Sequence, residues 1–99
     1  MTASYRVTPT AKAHLNDIAD YTLQEFGSGQ METYLRALFS RFEWLSKNPL
    51  LGKARDEIFG NLRSYREGAH VIFYRISGKF IDIVAILHRS RDVDRFFGN

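Results

Sequence analysis

The sequence contains no cysteine, only two prolines, and no apolar run near the ~20 residues that a membrane-spanning helix requires. Without cysteine, a disulfide framework and a cysteine-based zinc site are both excluded. The segment Met1–Tyr5 has neither a basic stretch nor an apolar core, so we expect no signal peptide and a cytoplasmic protein. The length of 99 residues predicts one domain, residues 1–99, held together by its own apolar side chains or by a partner.

What the sequence does contain is typical of a folded chain. Hydrophobic residues make up 44% and charged residues 25%, which argues against disorder. The net charge of +3 is unevenly placed, because the five basic and five acidic residues of 1–52 cancel while 53–99 carries nine basic and six acidic. This excess favours an anionic partner, but it is too small to predict direct DNA binding.

The first half of the chain has the pattern of two helices. Thr8-Pro9 is a helix start, since Thr caps free N–H groups and Pro suits the first helical position. Gly27 predicts a left-handed end of this helix, and the next helix begins at Ser28 or Gly29 and ends at Asn48-Pro49. The core-facing stripes predicted for the two helices are Ala11, Leu15, Ile18, Ala19, Thr22 and Phe26, then Met31, Leu35, Leu38, Phe42 and Leu45.

The remaining segments alternate as strands do. Tyr5–Val7 predicts a short strand before the helices, and residues 50–62 predict a loop. Leu62–Arg66, His70–Ile76 and Phe80–His88 then predict three strands joined by Gly-containing turns. The fold expected is α+β, with an N-terminal strand, an antiparallel helical hairpin and a three-stranded antiparallel sheet.

The last hairpin predicts two faces. If Ser77-Gly78-Lys79 forms the turn, Ile76 pairs with Phe80 and His88 lies diagonal to His70. One face is then nearly all apolar and is expected to meet the helices: Val71, Phe73, Ile81, Ile83, Ala85 and Leu87. The other face mixes polar and apolar groups and has no obvious cover: His70, Ile72, Tyr74, Asp82, Val84, Ile86 and His88. It either binds a partner or is covered by the C-terminal tail through Val93 and Phe96.

Two histidines on one face raise the possibility of RNA cleavage. One imidazole would take the 2′-OH proton and an arginine would stabilise the phosphorane charge, with His70, Tyr74, His88 and Arg66 as the candidate set. The simpler interpretation is that both histidines form structural hydrogen bonds, since a pair of histidines is no motif. We predict no metal site and no cofactor, because His14 lies far along the chain and no carboxylate has ligand spacing to a histidine.

The order of motifs resembles one known family along essentially the whole chain. The opening Tyr5–Ala11 with Leu15, Ile18 and Tyr21 is similar to that of the ParE toxins of the RelE/ParE superfamily. Further similar segments are Gly27 with Gln30 and Tyr34, Leu45–Arg55, Leu62–Tyr65, Gly68–Arg75, and Ile83–His88 followed by Asp92-Val93.

The resemblance implies a toxin of a type II toxin–antitoxin system that a ParD-like antitoxin neutralises. It implies inhibition of DNA gyrase by protein–protein contact, without catalysis, and contact with operator DNA only through the antitoxin. RelE relatives instead cut messenger RNA and usually place a Tyr after the last strand, where this chain has Arg89. A third alternative is a weak toxin that serves mainly in autorepression.

Two binding surfaces follow as expectations. The uncovered sheet face is the predicted seat of the antitoxin, through Arg63, Ile72, Tyr74, Val84 and Ile86. The predicted contact with the target is the basic loop and tail, through Lys53, Arg55, Arg89, Arg91, Arg95 and Phe96.

Overall fold

The computed structural model describes residues 4–98, so parts of the segments Met1–Tyr5 and Arg89–Asn99 lie outside it. The helices are α1 (Pro9–Phe26), α2 (Ser28–Lys47) and α3 (Val93–Phe97), with a 3-10 turn at Pro49–Leu51. The strands are β1 (Tyr5–Val7), β2 (Lys53–Ala54), β3 (Leu62–Glu67), β4 (His70–Ser77) and β5 (Phe80–His88). Among residues 4–98, no helix is both long enough and apolar enough to cross a membrane.

The predicted helical hairpin is confirmed. The Thr8 hydroxyl accepts the N–H of Ala11 at 3.2 Å and donates to the carbonyl of Ile83 at 2.9 Å, so it caps α1 and ties it to β5. Gly27 ends α1 with a positive φ of 90°, which favours glycine, but its ψ of 173° differs from that of the left-handed helical cap predicted. The stripe on α1 is buried, with Ala19 half-buried, except at Phe26, which is 66% exposed and is therefore not the core residue predicted.

The α+β class is confirmed, but the sheet has five strands and is mixed. Its order is β1-β5-β4-β3-β2. The three antiparallel strands predicted form the centre, each within one residue of the predicted bounds. β1 adds in parallel to β5 and β2 adds antiparallel to β3. Both additions are two- or three-residue edge strands, too short for a periodic signal in sequence.

The predicted register of the β4–β5 hairpin is wrong. The turn has two residues, Gly78 and Lys79, so Ser77 rather than Ile76 pairs with Phe80. Gly78 has a φ of 62°, as two-residue hairpin turns require. A β-bulge then leaves Val84 without an opposite residue. Beyond it, His70 lies directly opposite His88 rather than diagonal to it.

The predicted faces are wrong in part: both faces of the sheet are covered, and of the six residues predicted to meet the helices only Ile81 and Ile83 do so. The cluster under α1 and α2 contains the side chains predicted to be open: Ile72, Tyr74 and Ile86, together with Ile81 and Ile83. Val71, Phe73, Ala85 and Leu87, predicted to meet α1 and α2, instead form a second cluster with Val84. The tail docks there, since α3 supplies Val93, Phe96 and Phe97 to this second cluster. Hydrophobic alternation alone could not distinguish the two apolar faces.

Candidate functional site

A groove of about 560 Å³ opens beside the end of the helical hairpin. Its walls come from α1, the start of α2, the β3–β4 turn and the end of β5. Two of its aromatic side chains are largely exposed, Tyr21 at 62% and Phe26 at 66%. Its polar groups include all three histidines of the chain: His14, His70 and His88, with Asp17, Gln30, Tyr34 and Arg91. We call this feature the histidine groove.

Tyr34 fixes the ring of His70 at one side of this groove. The Tyr34 hydroxyl lies 2.6 Å from Nδ1 of His70 and accepts the N–H of Ala69 at 3.2 Å. It also lies 3.1 Å from the carbonyl oxygen of Glu67. A hydroxyl has one proton to donate, so it goes to that carbonyl or to Nδ1. The same phenol therefore holds both the β3–β4 turn and the orientation of the imidazole.

The ring of His88 is held by Ser90. The backbone N–H of Ser90 donates to its Nδ1 at 3.2 Å, and the Ser90 hydroxyl lies 2.8 Å from the same atom. In the neutral ring the proton is consequently on Nε2. The rings of His70 and His88 meet edge to face, with centroids 5.4 Å apart and planes at 86°.

His14 reaches the groove from α1. Its Nδ1 accepts the backbone N–H of Ile86 at 3.2 Å, which occupies one nitrogen of the ring. The ring also packs on Phe96 of α3, with centroids 5.3 Å apart. The guanidinium of Arg91 lies over the Phe96 ring, 5.3 Å from its centroid. His14 thus joins α1, β5 and α3 at one point.

The environment of the groove favours the neutral form of two of its imidazoles, those of His70 and His14. Burial, followed by the neighbouring His88, lowers the pKa of His70 to about 4. Burial and then the charge of Arg91 lower the pKa of His14, against an opposing effect of Asp17. Burial raises the pKa of the Tyr34 phenol. At neutral pH the rings of His70 and His14 are therefore uncharged hydrogen-bonding groups rather than cations.

The groove does not have the arrangement of a metal centre. Across residues 4–98, no group of three or more His, Asp and Glu side chains is placed to hold a metal ion. Each imidazole Nδ1 already has a hydrogen-bonding neighbour, which is the structural role weighed for His70 and His88 from sequence. The exposed aromatic wall and the fixed polar groups instead suit the binding of an amphipathic segment.

Only two of the four residues proposed for RNA cleavage come together. Tyr74 is fully buried; its hydroxyl donates to the carbonyl of Pro49 at 2.7 Å and accepts the N–H of Gly52 at 3.0 Å. Burial raises the pKa of this phenol. Arg66 pairs with Val71 on the α3 face of the sheet, and its Nε donates to the carbonyl of Gly68 at 3.1 Å. The two histidines therefore have neither the Tyr74 hydroxyl nor the Arg66 guanidinium beside them.

The residues predicted for the antitoxin surface do not form one exposed face. Ile72 and Tyr74 are buried under the helices, and the 3% exposed Ile86 reaches only the wall of the histidine groove. Val84 is half-buried on the α3 side. Arg63 donates to the carbonyl of Gly52 at 2.6 Å, so it braces the loop before β2.

The residues predicted for the target surface divide into two regions. Lys53 is exposed on the edge strand β2, and Arg55 lies over the Phe73 ring, 5.5 Å from its centroid, and pairs with Glu57 at 2.7 Å. The second region is the tail. Arg89, Arg91 and Arg95 are exposed there and Phe96 is half-buried.

Sequence reasoning did not select several groove residues. In the sequence Tyr34 stands out only through the family resemblance, and His14 lies too far along the chain from the other histidines to be grouped with them. Phe26 was assigned to the core. The available signal was the end of α1, where Tyr21 and Phe26 lie five residues apart, outside the three-or-four spacing of a single stripe.

Comparison with known proteins gives one family. The profile of the family described as "ParE toxin of type II toxin-antitoxin system, parDE" matches residues 5–93. Toxin ParE1 of Mycobacterium tuberculosis is 42% identical over 96 residues, which cover 96% of this chain and 98% of that protein.

Two solved structures share the fold. One is a chain of the chromosomal ParDE system from P. aeruginosa, with a TM-score of 0.73, 20% identity and coverage of 87% of this chain and 95% of that one. The other belongs to the toxin-antitoxin complex RelBE2 from Mycobacterium tuberculosis, with a TM-score of 0.61, 24% identity and coverage of 90% and 100%.

Proposed function

The chain belongs to the family of ParE toxins of type II toxin–antitoxin systems, and on that premise we propose that a ParD-like antitoxin neutralises it by occupying the histidine groove. The observation that carries this proposal is the exposure of Tyr21 and Phe26 on one wall of the groove. Large apolar side chains left in water beside a cavity are typical of a protein-binding surface. Both solved neighbours come from toxin–antitoxin systems, which supports a partner of this kind.

An amphipathic helix is the form of antitoxin segment that fits the groove. Its apolar side would contact Tyr21, Phe26 and Ile18, and its polar side would meet Gln30 and Arg91. The excess positive charge of the chain favours an acidic segment and speeds its association. In this proposal operator DNA is contacted by the antitoxin alone.

Two matched variants test whether the antitoxin binds the histidine groove. Tyr21→Ser with Phe26→Ser should weaken antitoxin binding at least ~10-fold, because buried aromatic anchors dominate such interfaces. Leu23→Ser is the control, since Leu23 is also exposed on α1, at 45%, but does not line the groove. Equal affinities of the two variants, measured by calorimetry, would place the antitoxin elsewhere.

For the target we propose DNA gyrase, inhibited by protein–protein contact without chemistry by the toxin. The separation of Tyr74 and Arg66 from the two histidines supports a non-catalytic action, because Tyr74 has a structural hydroxyl and Arg66 lies on the other face of the sheet. The test is a supercoiling and cleavage-complex assay with purified gyrase, relaxed plasmid and ATP. Loss of supercoiling that antitoxin reverses is the expected result.

A RelE-like ribonuclease is the second candidate, and one observation favours it. His70 and His88 lie side by side at the groove, with ring centroids 5.4 Å apart, so two imidazoles could act on one phosphate. Under this alternative, replacing both histidines by Ala abolishes growth arrest in a folded variant. Under the gyrase proposal, the folded double variant still inhibits gyrase.

A further inference from the structure

The four most exposed large apolar residues of 4–98 form two pairs. Tyr21 and Phe26 belong to the histidine groove, where the proposed antitoxin would cover them. Leu50 and Leu51 are the other pair, 70% and 59% exposed, and nothing proposed so far accounts for them. Leu50 lines a separate cavity of about 320 Å³, which shares no residue with the groove.

The turn that carries these leucines is held rigidly. Tyr74 donates to the carbonyl of Pro49 and accepts the N–H of Gly52, so its buried hydroxyl joins both ends of the turn. Arg63 donates to the carbonyl of Gly52 at 2.6 Å and to that of Leu50 at 3.3 Å. The N–H of Leu51 donates to the carbonyl of Asn48 at 3.1 Å.

All these hydrogen bonds end on backbone atoms of the turn, and the side chains of Leu50 and Leu51 are 70% and 59% exposed. The side chains of Leu50 and Leu51 therefore contribute little to holding the turn, while the turn fixes where they project. A turn whose backbone is already ordered loses little further backbone entropy when a partner covers its side chains. Rigid, exposed apolar pairs of this kind are what a binding surface requires.

The charge beside the leucines indicates the chemistry of the partner. Within residues 4–98, no carboxylate lies in ion-pair distance of Lys53 or of Arg63, whose guanidinium bonds only to carbonyl oxygens. The cavity lining itself carries one carboxylate and one guanidinium, those of Asp56 and Arg63, so Lys53 beside it leaves one positive charge in excess. Ile76, 36% exposed, extends the apolar part of the same wall.

We propose that Leu50 and Leu51, with Ile76 and the flanking Lys53 and Arg63, form the surface by which this toxin docks onto its protein target, through a target segment of apolar side chains flanked by carboxylates. We call it the dileucine surface. The proposal rests on the proposed toxin function and deepens it. Its cavity shares no lining residue with the histidine groove, so antitoxin and target would contact different residues of the toxin.

The test compares toxin variants with wild type in growth arrest, gyrase inhibition and antitoxin affinity. Leu50→Ser with Leu51→Ser should raise the concentration needed for half-inhibition of purified gyrase at least ~10-fold while antitoxin affinity stays unchanged. Leu23→Ser is the control for loss of an exposed leucine, and it should behave as wild type. Lys53→Glu should weaken inhibition in a salt-dependent manner, whereas Lys12→Glu on the exposed side of α1 should not.

The outcomes separate this inference from the proposed function. A double serine variant that binds antitoxin normally and still inhibits gyrase as wild type does overturns the dileucine surface and leaves the gyrase proposal intact. If wild type arrests growth without inhibiting gyrase, the gyrase proposal fails, and the growth assay decides the surface. Loss of arrest in the double variant then supports it, and retained arrest overturns it. A wild type that arrests no growth overturns both.

Discussion

The backbone N–H of Ile86 donates its hydrogen bond to Nδ1 of His14, 3.2 Å away, instead of to another strand. Ile86 lies two residues beyond the bulged Val84, on the edge of β5 where the short β1 has already ended. A side chain of α1 thus satisfies a sheet-edge donor that no strand reaches. This explains how the bulge is accommodated next to the histidine groove.

Replacing His14 should therefore destabilise the fold. In His14→Phe an aromatic ring still packs on Phe96, but the partly buried N–H of Ile86 loses its acceptor. The expected loss in the free energy of unfolding is about 1–2 kcal/mol. Urea denaturation measures it, with Lys12→Ala on the same helix as the control. Equal stability of His14→Phe and wild type would mean that water replaces the imidazole without cost.

The bulge also marks the limit of what the sequence can predict. The helices follow from one strong pattern, with Thr8-Pro9 at the start and Leu38, Phe42 and Leu45 on one stripe. The central strands follow from their turns. The face of the sheet on which each β5 side chain lies does not follow from the sequence. A two-residue turn and one extra residue at Val84 each shift the pairing of β5 with β4 by one.

The candidate site was only half predictable for a related reason. His70 and His88 are joined by a local hairpin, so their proximity was expected from sequence even with a wrong register. His14, Tyr34 and Phe26 reach the same groove through the packing of α1 and α2 on the sheet. Such long-range placement has no local sequence signal. The prediction for Tyr74 fails because the sequence does not distinguish a tyrosine with a buried structural hydroxyl from a catalytic one.

His70 should make the stability of the protein depend on pH. Its pKa is about 4 in the folded state and near 6.5 when unfolded, so between these values the unfolded chain binds the proton and the folded chain does not. Stability from this group is complete above pH 6.5 and falls as the pH drops toward 4. His14, whose pKa is also lowered, contributes in the same direction.

The variant His70→Gln should consequently lose less stability than wild type between pH 7 and pH 5. Urea denaturation at the two values gives the comparison, and part of the slope should remain because of His14. An NMR titration of the His70 ring provides the direct check. A midpoint near 6.5 would show that the ring is not desolvated in the folded protein, and the expected difference in slope would disappear.

Tyr74→Phe should separate the structural role of this residue from a chemical one. The change leaves the carbonyl of Pro49 and the N–H of Gly52 without the hydroxyl they share, so we expect a loss of about 1–3 kcal/mol in unfolding free energy. Tyr65→Phe is the control, because the hydroxyl of that half-buried tyrosine makes no hydrogen bond to protein groups within residues 4–98.

The same variant tests the ribonuclease alternative. If Tyr74 acts only through the fold, toxicity per folded molecule should match wild type at a temperature where both are folded. A folded Tyr74→Phe protein without toxicity would instead assign the hydroxyl a role in the reaction.

Gly52→Ala should be costly although the backbone of Gly52 has an ordinary φ of −70°. The added methyl group would overlap the Tyr74 hydroxyl and lie 2.8 Å from two carbons of its ring. We expect a loss of about 1–3 kcal/mol from this overpacking. Gly60→Ala is the matched control, since a Cβ there meets nothing within 4 Å, and its effect should stay within about 0.5 kcal/mol.

A double-mutant cycle identifies the contact that makes Gly52 necessary. In the Tyr74→Phe background the hydroxyl overlap is gone and only the ring carbons remain close, so Gly52→Ala should cost less than in wild type. Additive effects would mean that the turn moves away from Tyr74 when the methyl group is added. The turn would then no longer be rigid, and Leu50 and Leu51 would lose the fixed position on which the dileucine surface depends.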